Sequence, residues 1–571
     1  MPDRRLSPSH LEFRAARDLL LQHADDPQRA YELFRWPRPE FFNWALDWFD
    51  VIAAGNEATA LQVVRPDGVR TASFAELSRR STQAAGWLGK LGVQAGDRVP
   101  VVMDTSVEVW ELLLALMKIR AVAVPIFTVL SDAEIFDRLR RCRANHLIAS
   151  ADQAPRLAEQ SVPGTRVVVG GELAGWSCYA ESADLDIDFE IDIESTRADE
   201  LMSCYFTSGS TARPKMVAHN HVSYPIGHLS GMYWAGFRPG DVHLNISSPG
   251  WAKHPWGSFF APWNAEATIV SIDTREASPD FVLDALERTG ATTFCAPPGV
   301  WRAMAKRGLA GRRIALREAM SVGEPLTQDI VDAVRAAWQL TVRNGYGQSE
   351  VTAMAGVTPT STDDPRSLGR PLPGYRVVLC PVGSEQPAEQ GEFCLDLSDW
   401  PAGMMHGYLD DDGRRLEPAP SALALYRTGD LARRDADGSL HFIGRIKDVF
   451  STPAGRLVAP AALEAGLVAH PAVAEAAVVT LPADPARGGQ PIAKAFVIPA
   501  AGWNAGPVTA QALLELLADG GTVPVVLEFV DELPRTESGK IHREILRGLL
   551  RSPLAEFSVP APAGSPEDSH G

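Results

Sequence analysis

The sequence predicts an α/β protein in two unequal parts: a large N-terminal domain of stacked βα sheets with a small β-barrel, and a smaller α+β C-terminal domain. Three observations predict it. From about residue 58, short apolar strands alternate with Ala/Leu-rich helices, the pattern of parallel sheets covered by helices. Near residue 391 the texture changes to short strands and turns. After Arg445 a unit of about a hundred residues follows with its own helices and strands, within the usual domain range.

In order along the chain, residues 10–50 read as helices interrupted by exposed rings (Phe34, Trp36, Phe41, Phe42, Trp44, Trp48, Phe49), expected to anchor a lid or entry segment. Residues 98–103 read as a strand and 106–121 as the helix after it, and 242–246, 267–272 and 292–297 continue the strand series. Asp437-Gly438 between two strand-like runs signals a hairpin. The small unit reads as helix 461–470, strands 474–482 and 493–500, helix 509–519 and strand 525–533. The expected division is an N-terminal extension over 1–36, a large domain over 37–445, a hinge over 446–448, a small domain over 449–551 and a Pro/Ser/Gly/Glu-rich disordered tail over 552–571.

Composition excludes several classes. With 571 residues, 45% hydrophobic and 22% charged, the chain is globular rather than disordered or disulfide-scaffolded. Its 54 Lys and Arg against 71 Asp and Glu give a net charge of −17, a surface that repels phosphate backbones and anionic lipid, so no nucleic-acid partner is expected. No run of roughly 18 apolar residues and no signal peptide occur, so no integral membrane association is expected. Six scattered cysteines, without C-x-x-C or zinc-ligand spacing, fit a reducing cytoplasm.

Four segments carry chemistry. Thr207, Ser208, Gly209, Ser210, Thr211, Ala212, Arg213, Pro214 and Lys215 follow an apolar strand, and such a loop wraps phosphate oxygens with N–H groups, hydroxyls and an ammonium, though its spacing is not that of a P-loop NTPase. Asn344, Gly345, Tyr346, Gly347, Gln348, Ser349 and Glu350, preceded by Gly323 and Glu324, offer glycines for close approach of a planar ring and a carboxylate for a hard cation. Asp430 can accept from two ribose hydroxyls and Arg445 can neutralise a phosphate. Lys540 sits in a turn before a helix. Each segment alone also fits an ordinary surface loop.

Together, in this order, they resemble the superfamily of AMP-forming acyl- and aryl-CoA synthetases, adenylation domains and beetle luciferases, over about residues 36–550. The chain looks most like the medium-chain acyl-CoA synthetases through residues 39–50, 250–270, 294–304, 367–375 and 403–411. The resemblance implies the acyl-adenylate-forming fold with a mobile C-terminal domain. It implies activation of a carboxylic acid (medium-chain, branched or aromatic) by ATP to acyl-AMP, then transfer to coenzyme A. It also implies roles for the residues. Those from Thr207 to Lys215 hold the β- and γ-phosphates. Gly323, Glu324 and the Asn344–Gln348 stretch enclose adenine, and Ser349 faces the α-phosphate and acyl carboxylate. Glu350 binds Mg²⁺, Asp430 and Arg445 take the ribose side, Lys540 drives adenylation, and Lys447 is the hinge.

The acyl pocket is expected from Trp251, His254, Gly257 and Ser349, with rings at Trp251, Trp256 and Trp301 shortening it. Lys253 and His254 carry the wrong charge for an amino-acid substrate and suit a second carboxylate or a hydroxyl. Gly455, Arg456 and Arg487 are the coenzyme A candidates. The sequence departs from the family at Ala212 and Gly299, where Gly and Thr are usual, at Leu457 in an arginine position, and at 520–526, which lacks a Tyr-Lys-x-Pro-Arg run. Two alternatives stay open: an adenylating ligase that loads a carrier protein, and a degenerate nucleotide-binding sensor.

Overall fold

Residues 6–185, 196–207, 213–416, 423–451, 457–481, 492–518, 525–536, 540–549 and 557–558 are described by a computed structural model. The βα alternation resolves into two large sheets. One has nine strands, with Thr59–Arg65, Thr268–Ile272, Val242–Asn245, Thr293–Cys295, Glu318–Val322 and Val342–Gly347 running parallel as neighbours. The other has eight, with Leu201–Thr207, Val122–Pro125, Arg98–Val102, Leu147–Ser150, Arg166–Val169 and Ser177–Cys178 parallel in that order. Lys215–Asn220 and Gly407–Leu409 complete its edge antiparallel.

Local chemistry sets the helix ends. The helix Pro279–Thr289 starts where the Ser278 hydroxyl accepts from the Phe281 N–H, and it stops at Gly290 with φ of 63°, where a side chain would be strained. The helix Asp132–Arg141 opens on a reciprocal cap between Ser131 and Glu134.

The segment read as a small β-barrel is a four-stranded antiparallel sheet of Val377–Cys380, Gln390–Asp396, Leu425–Arg434 and Leu440–Arg445, the last two joined around Asp437-Gly438. It ends at Arg445, and a turn over 446–448 leads to the small domain. There Val473–Leu481, Ile492–Pro499 and Val525–Phe529 form a sheet with helices Pro460–Val468 and Pro507–Ala518. Within the segment read as a disordered tail, Phe557–Ser558 pairs with Val525–Phe529.

One expectation is corrected. The N-terminal rings are not exposed anchors of a lid: Phe34, Trp36, Phe42, Trp44, Trp48 and Phe49 are buried, and Phe41 alone of the seven is exposed. The indole N–H of Trp44 donates to Asn264 Oδ1 at 2.9 Å and that of Trp48 to the Trp263 carbonyl at 3.0 Å. With both polar tips paired inside, the rings gain full burial, about 2 kcal/mol or more each. Arg17 pins the preceding helix to Glu266 and to the Asn264 carbonyl.

Among the described residues no helix is long and apolar enough to cross a membrane.

Candidate active site

Two of the four motifs sit where parallel strands end, the usual place for ligands in open α/β sheets, and Asp430–Arg445 and Lys540 reach them from an antiparallel sheet and from the small domain. Val342–Gly347 runs into Gln348, Ser349 and Glu350; Glu318–Val322 runs into Gly323 and Glu324; and Leu201–Thr207 leads into the phosphate loop. Thr207 and Lys215 face each other at the loop's stem. The Thr207 hydroxyl has no partner among the described residues, while Ser208, Gly209, Ser210, Thr211 and Ala212 lie outside them.

Asp430 is the best-organised group. It is buried, and its Oδ2 accepts from the Tyr346 hydroxyl at 2.6 Å and from Gln348 Nε2 at 2.9 Å, while Arg445 Nε stands 2.8 Å from Oδ1. Asp430 and Arg445, apart in sequence, meet because they are directly paired across two antiparallel strands. Tyr346 is raised well above an ordinary tyrosine by burial and by the Asp430 charge, so it stays a hydrogen-bond donor.

The two glycines flanking Tyr346 serve a purpose that spacing does not reveal. A Cβ on Gly345 would strike the Trp234 ring, and one on Gly347 the Trp256 ring. The room they leave is filled by the protein's own indoles, while Tyr346 and Gln348 point to the opposite face, toward Asp430.

Behind this face the Ser349 carbonyl accepts from His219 Nε2 at 2.8 Å and from the Tyr224 hydroxyl at 2.9 Å. Burial holds His219 down to about 3, so its ring is neutral. Its Nδ1 is therefore free to accept from Ser223 Oγ at 2.9 Å.

Glu350 Oε1 accepts from the Tyr408 hydroxyl at 2.7 Å, and Lys215 Nζ lies 4.6 Å from the centre of the same ring. One tyrosine thus links the phosphate-loop lysine to the carboxylate read as a cation ligand. Among the described residues no cluster of three or more Cys, His, Asp or Glu can hold a metal. A lone carboxylate such as Glu350 would nevertheless suit Mg²⁺, which keeps waters and takes its remaining ligands from phosphates.

Lys540 comes from the small domain. The Thr536 N–H donates to its carbonyl at 2.7 Å, and its side chain crosses to the large domain, where Gly323 sits with φ of 104° and a Cβ there would lie 3.8 Å from Nζ. Burial lowers the lysine's proton affinity, and Glu324 opposes this. Burial in turn raises Glu324, against the pull of Lys540. The turn holding Lys447 is tied to the helix Arg543–Gly548 through Lys447–Glu544 at 3.2 Å and an Asp448–Arg547 pair.

Of the acyl-pocket candidates, Trp251, His254 and Gly257 lie on one segment, and Gly257 packs on Asn245, where a Cβ would come within 2.7 Å of Cγ. Trp301 belongs elsewhere: its N–H donates to the Met320 carbonyl at 3.0 Å, and its ring packs on Phe294 and Trp338 in the core. Nothing surrounds Gly299 closely enough to require a glycine. Gly455, Arg456 and Arg487, read as coenzyme A contacts, lie outside the described residues, as does the side chain of Leu457.

Sequence reasoning missed Tyr408, Tyr426, Thr428, His219 and Trp234. The Tyr426 hydroxyl donates to Gln348 Oε1 at 2.9 Å, and the Thr428 carbonyl accepts from Gln348 Nε2 at 2.9 Å. Tyr408 and Tyr426 stand inside segments that drew attention, but no spacing links them to Glu350 or Gln348.

Residues 49–409 match the AMP-binding enzyme family, and residues 462–540 match the AMP-binding enzyme C-terminal domain. The chain belongs to the AMP-binding enzyme family. Within it the chain is an AMP-forming acyl-CoA synthetase, an acid–thiol ligase that converts a carboxylic acid with ATP to acyl-AMP and then to the coenzyme A thioester. It is 35% identical over 526 residues to 4-hydroxybutyrate–CoA ligase 1 of Metallosphaera sedula, covering 89% of this chain and 90% of that protein. It is 30% identical over 541 residues to the human mitochondrial acyl-coenzyme A synthetase ACSM3, covering 90% of each. The crystal structure of the anthranilate CoA ligase AuaEII with anthranoyl-AMP superposes with a TM-score of 0.78 at 25% identity, covering 90% of this chain and 98% of that one.

Proposed function

We propose that Lys540 drives the first half-reaction, in which a carboxylate oxygen attacks the α-phosphorus of ATP and pyrophosphate leaves. The observation that carries this is the reach of Lys540 from the small domain to Gly323 and Glu324. A carboxylate is a poor electrophile, and charge gathers on the phosphoryl oxygens in the transition state, where a buried ammonium acts most strongly. In this reading the residues from Thr207 to Lys215 grip the β- and γ-phosphates, Asp430 takes the ribose hydroxyls, and Arg445 serves the ribose and phosphate side. Gly323, Glu324 and the Asn344–Gln348 stretch border adenine, and Ser349 faces the α-phosphate and the acyl carboxylate. Glu350 would hold Mg²⁺, which supplies charge neutralisation at the phosphates when bound.

The thiol of coenzyme A then attacks the acyl carbonyl and AMP leaves. Lys540 occupies the reacting space in the first step, so the small domain must turn about the 446–448 segment before the pantetheine arm enters, Lys447 being the pivot. Gly455, Arg456 and Arg487 stay candidates for the coenzyme A side. The acid is of small to medium length, consistent with the names of the relatives and with indole rings at Trp251 and Trp256.

Pyrophosphate release across a carboxylic-acid panel, with coenzyme A, with a phosphopantetheinylated carrier protein, and with neither, tests the proposal. Release on every arm with thioester only on coenzyme A is expected. Thioester only on the carrier protein would move the acceptor. No release with any acid would leave a nucleotide-binding sensor.

A further inference from the structure

Buried polar atoms in a folded protein are nearly always paired. Against that rule, residues 245–256 collect several orphans. Among the described residues Asn245 Oδ1 and Ser247 Oγ have no hydrogen-bond partner, and Lys253 Nζ, the ring nitrogens of His254 and Trp256 Nε1 make no bond of full geometry: Lys253 meets only the weakly accepting Cys295 sulfur, His254 the Ser247 backbone and Trp256 the Tyr224 side chain. Lys253 is 8% exposed and His254 1%. Around the Lys253 ammonium stand the Trp251 ring, 5.2 Å away, and the Cys295 thiol, with Glu324, His243 and Lys540 within reach of its charge. Leaving a lysine so placed costs several kcal/mol unless something else meets it.

These atoms border the reacting centre. The Trp256 ring lies against Gly347 on the nucleotide strand, and Glu324, which Lys253 feels, also faces Lys540.

Donor and acceptor roles narrow what would satisfy them. Lys253 Nζ and Trp256 Nε1 can only donate, and Asn245 Oδ1 can only accept. Burial keeps the His254 ring neutral, with its affinity pulled down to about 4, so one of its nitrogens donates and the other accepts. An alkyl terminus satisfies none of these groups. A carboxylate accepts only, and leaves the accepting atoms empty. A hydroxyl both donates and accepts.

We propose that this segment is a polar subsite that recognises a hydroxyl on the acyl chain of the substrate acid, with Lys253 donating to its oxygen. The inference rests on the acyl-CoA synthetase reading and names the class of acid within it: a short hydroxy acid.

Steady-state kcat/KM of the full-length enzyme is measured for pentanoate, 4-hydroxybutyrate and succinate, which are close in size and end in a methyl, a hydroxyl and a carboxylate. The wild type should favour 4-hydroxybutyrate over pentanoate by on the order of tenfold or more, the value of one charge-assisted hydrogen bond. Lys253→Met should collapse that ratio, and Lys253→Arg should restore part of it. A wild type that prefers pentanoate overturns the proposal and leaves the orphan atoms to ordered water. Preference for succinate overturns the hydroxyl in favour of an anionic terminus. A Lys253→Met enzyme that loses all three acids equally puts Lys253 on the reacting carboxylate instead. The wild-type comparison stands even if the variants fail to fold. No turnover with any acid in any arm would count against the synthetase reading itself, a result distinct from a change in the ratio.

Discussion

Lys540 shows how a side chain's surroundings set its charge. Burial, with Arg445 and Lys253 nearby, lowers its proton affinity below that of free lysine, while Glu324 and Asp430 oppose the shift. In the proposed mechanism the charged form is the one that serves adenylation. As pH rises through the lowered value the ammonium is lost, so ATP–pyrophosphate exchange should decline at a lower pH than an unperturbed lysine would allow. Lys540→Ala should cut exchange on the order of 10²–10³-fold while ATP binding changes little, since the ammonium acts on transition-state charge. Preformed acyl-AMP should still react with coenzyme A in that variant, and wild-type exchange in it would sink the assignment.

Two connecting elements govern whether the site can assemble and then rearrange. Residues 213 and 214, the exit of the proposed phosphate loop, are clamped: Arg141 donates from Nη2 to the Pro214 carbonyl at 2.8 Å and from Nε to Asp411 at 2.6 Å, and Asp411 also holds Arg213 at 2.7 Å. Arg141 is nearly buried and its charge reaches across the strand edge, so the clamp is stiffer than an exposed ion pair. Arg141→Leu should raise the KM for ATP about tenfold with a smaller change in kcat, because it loosens a binding loop without touching the reacting atoms. Steady-state kinetics at varied ATP reads this directly, and an unchanged KM would show that the loop holds itself. At the turn over 446–448, Lys447→Pro locks φ near −65° and restricts the pivot. Exchange should survive, while reaction of acyl-AMP with coenzyme A should slow by on the order of tenfold or more. Equal loss of both half-reactions would deny the turn its hinge role.

Across the whole molecule, buried histidines couple the fold to pH. Burial lowers His219 and His243 to about 3, His221 and His254 to about 4, and His228 well below an ordinary histidine. Above the unfolded value of about 6.5 neither state is charged, and these residues add no pH dependence. Below it the unfolded chain takes up protons that the folded chain refuses, so stability falls progressively between about 6.5 and the native values near 3 to 4. Each such group adds up to ~1.4 kcal/mol per pH unit within its window. The denaturant midpoint should therefore drop steeply on acidification. His243→Gln should make that decline shallower by about one proton's worth, and an identical slope would mean that His243 is protonated in the native state.

What the chain determined by itself was local and periodic. Alternating apolar strands and helices and the Asp437-Gly438 turn depend on neighbours within a few residues and were legible, while the caps at Ser131 and Ser278, equally local, were not read from the sequence. So was the order of the four motifs, because each is a short run of adjacent residues. What packing decided was invisible in spacing. Trp44 and Trp48 look like surface rings until distant backbone and amide groups accept hydrogen bonds from their N–H groups, and Trp301 looks like a pocket wall until the Met320 carbonyl accepts one from its indole. Gly345 and Gly347 look made for a ligand's ring, yet indoles from two other segments fill the space. The Tyr408–Glu350 and Asp430–Gln348 bonds join residues 58 and 82 positions apart. Burial, partner choice and unpaired polar atoms are properties of what the fold brings together, and only the tertiary structure decided them.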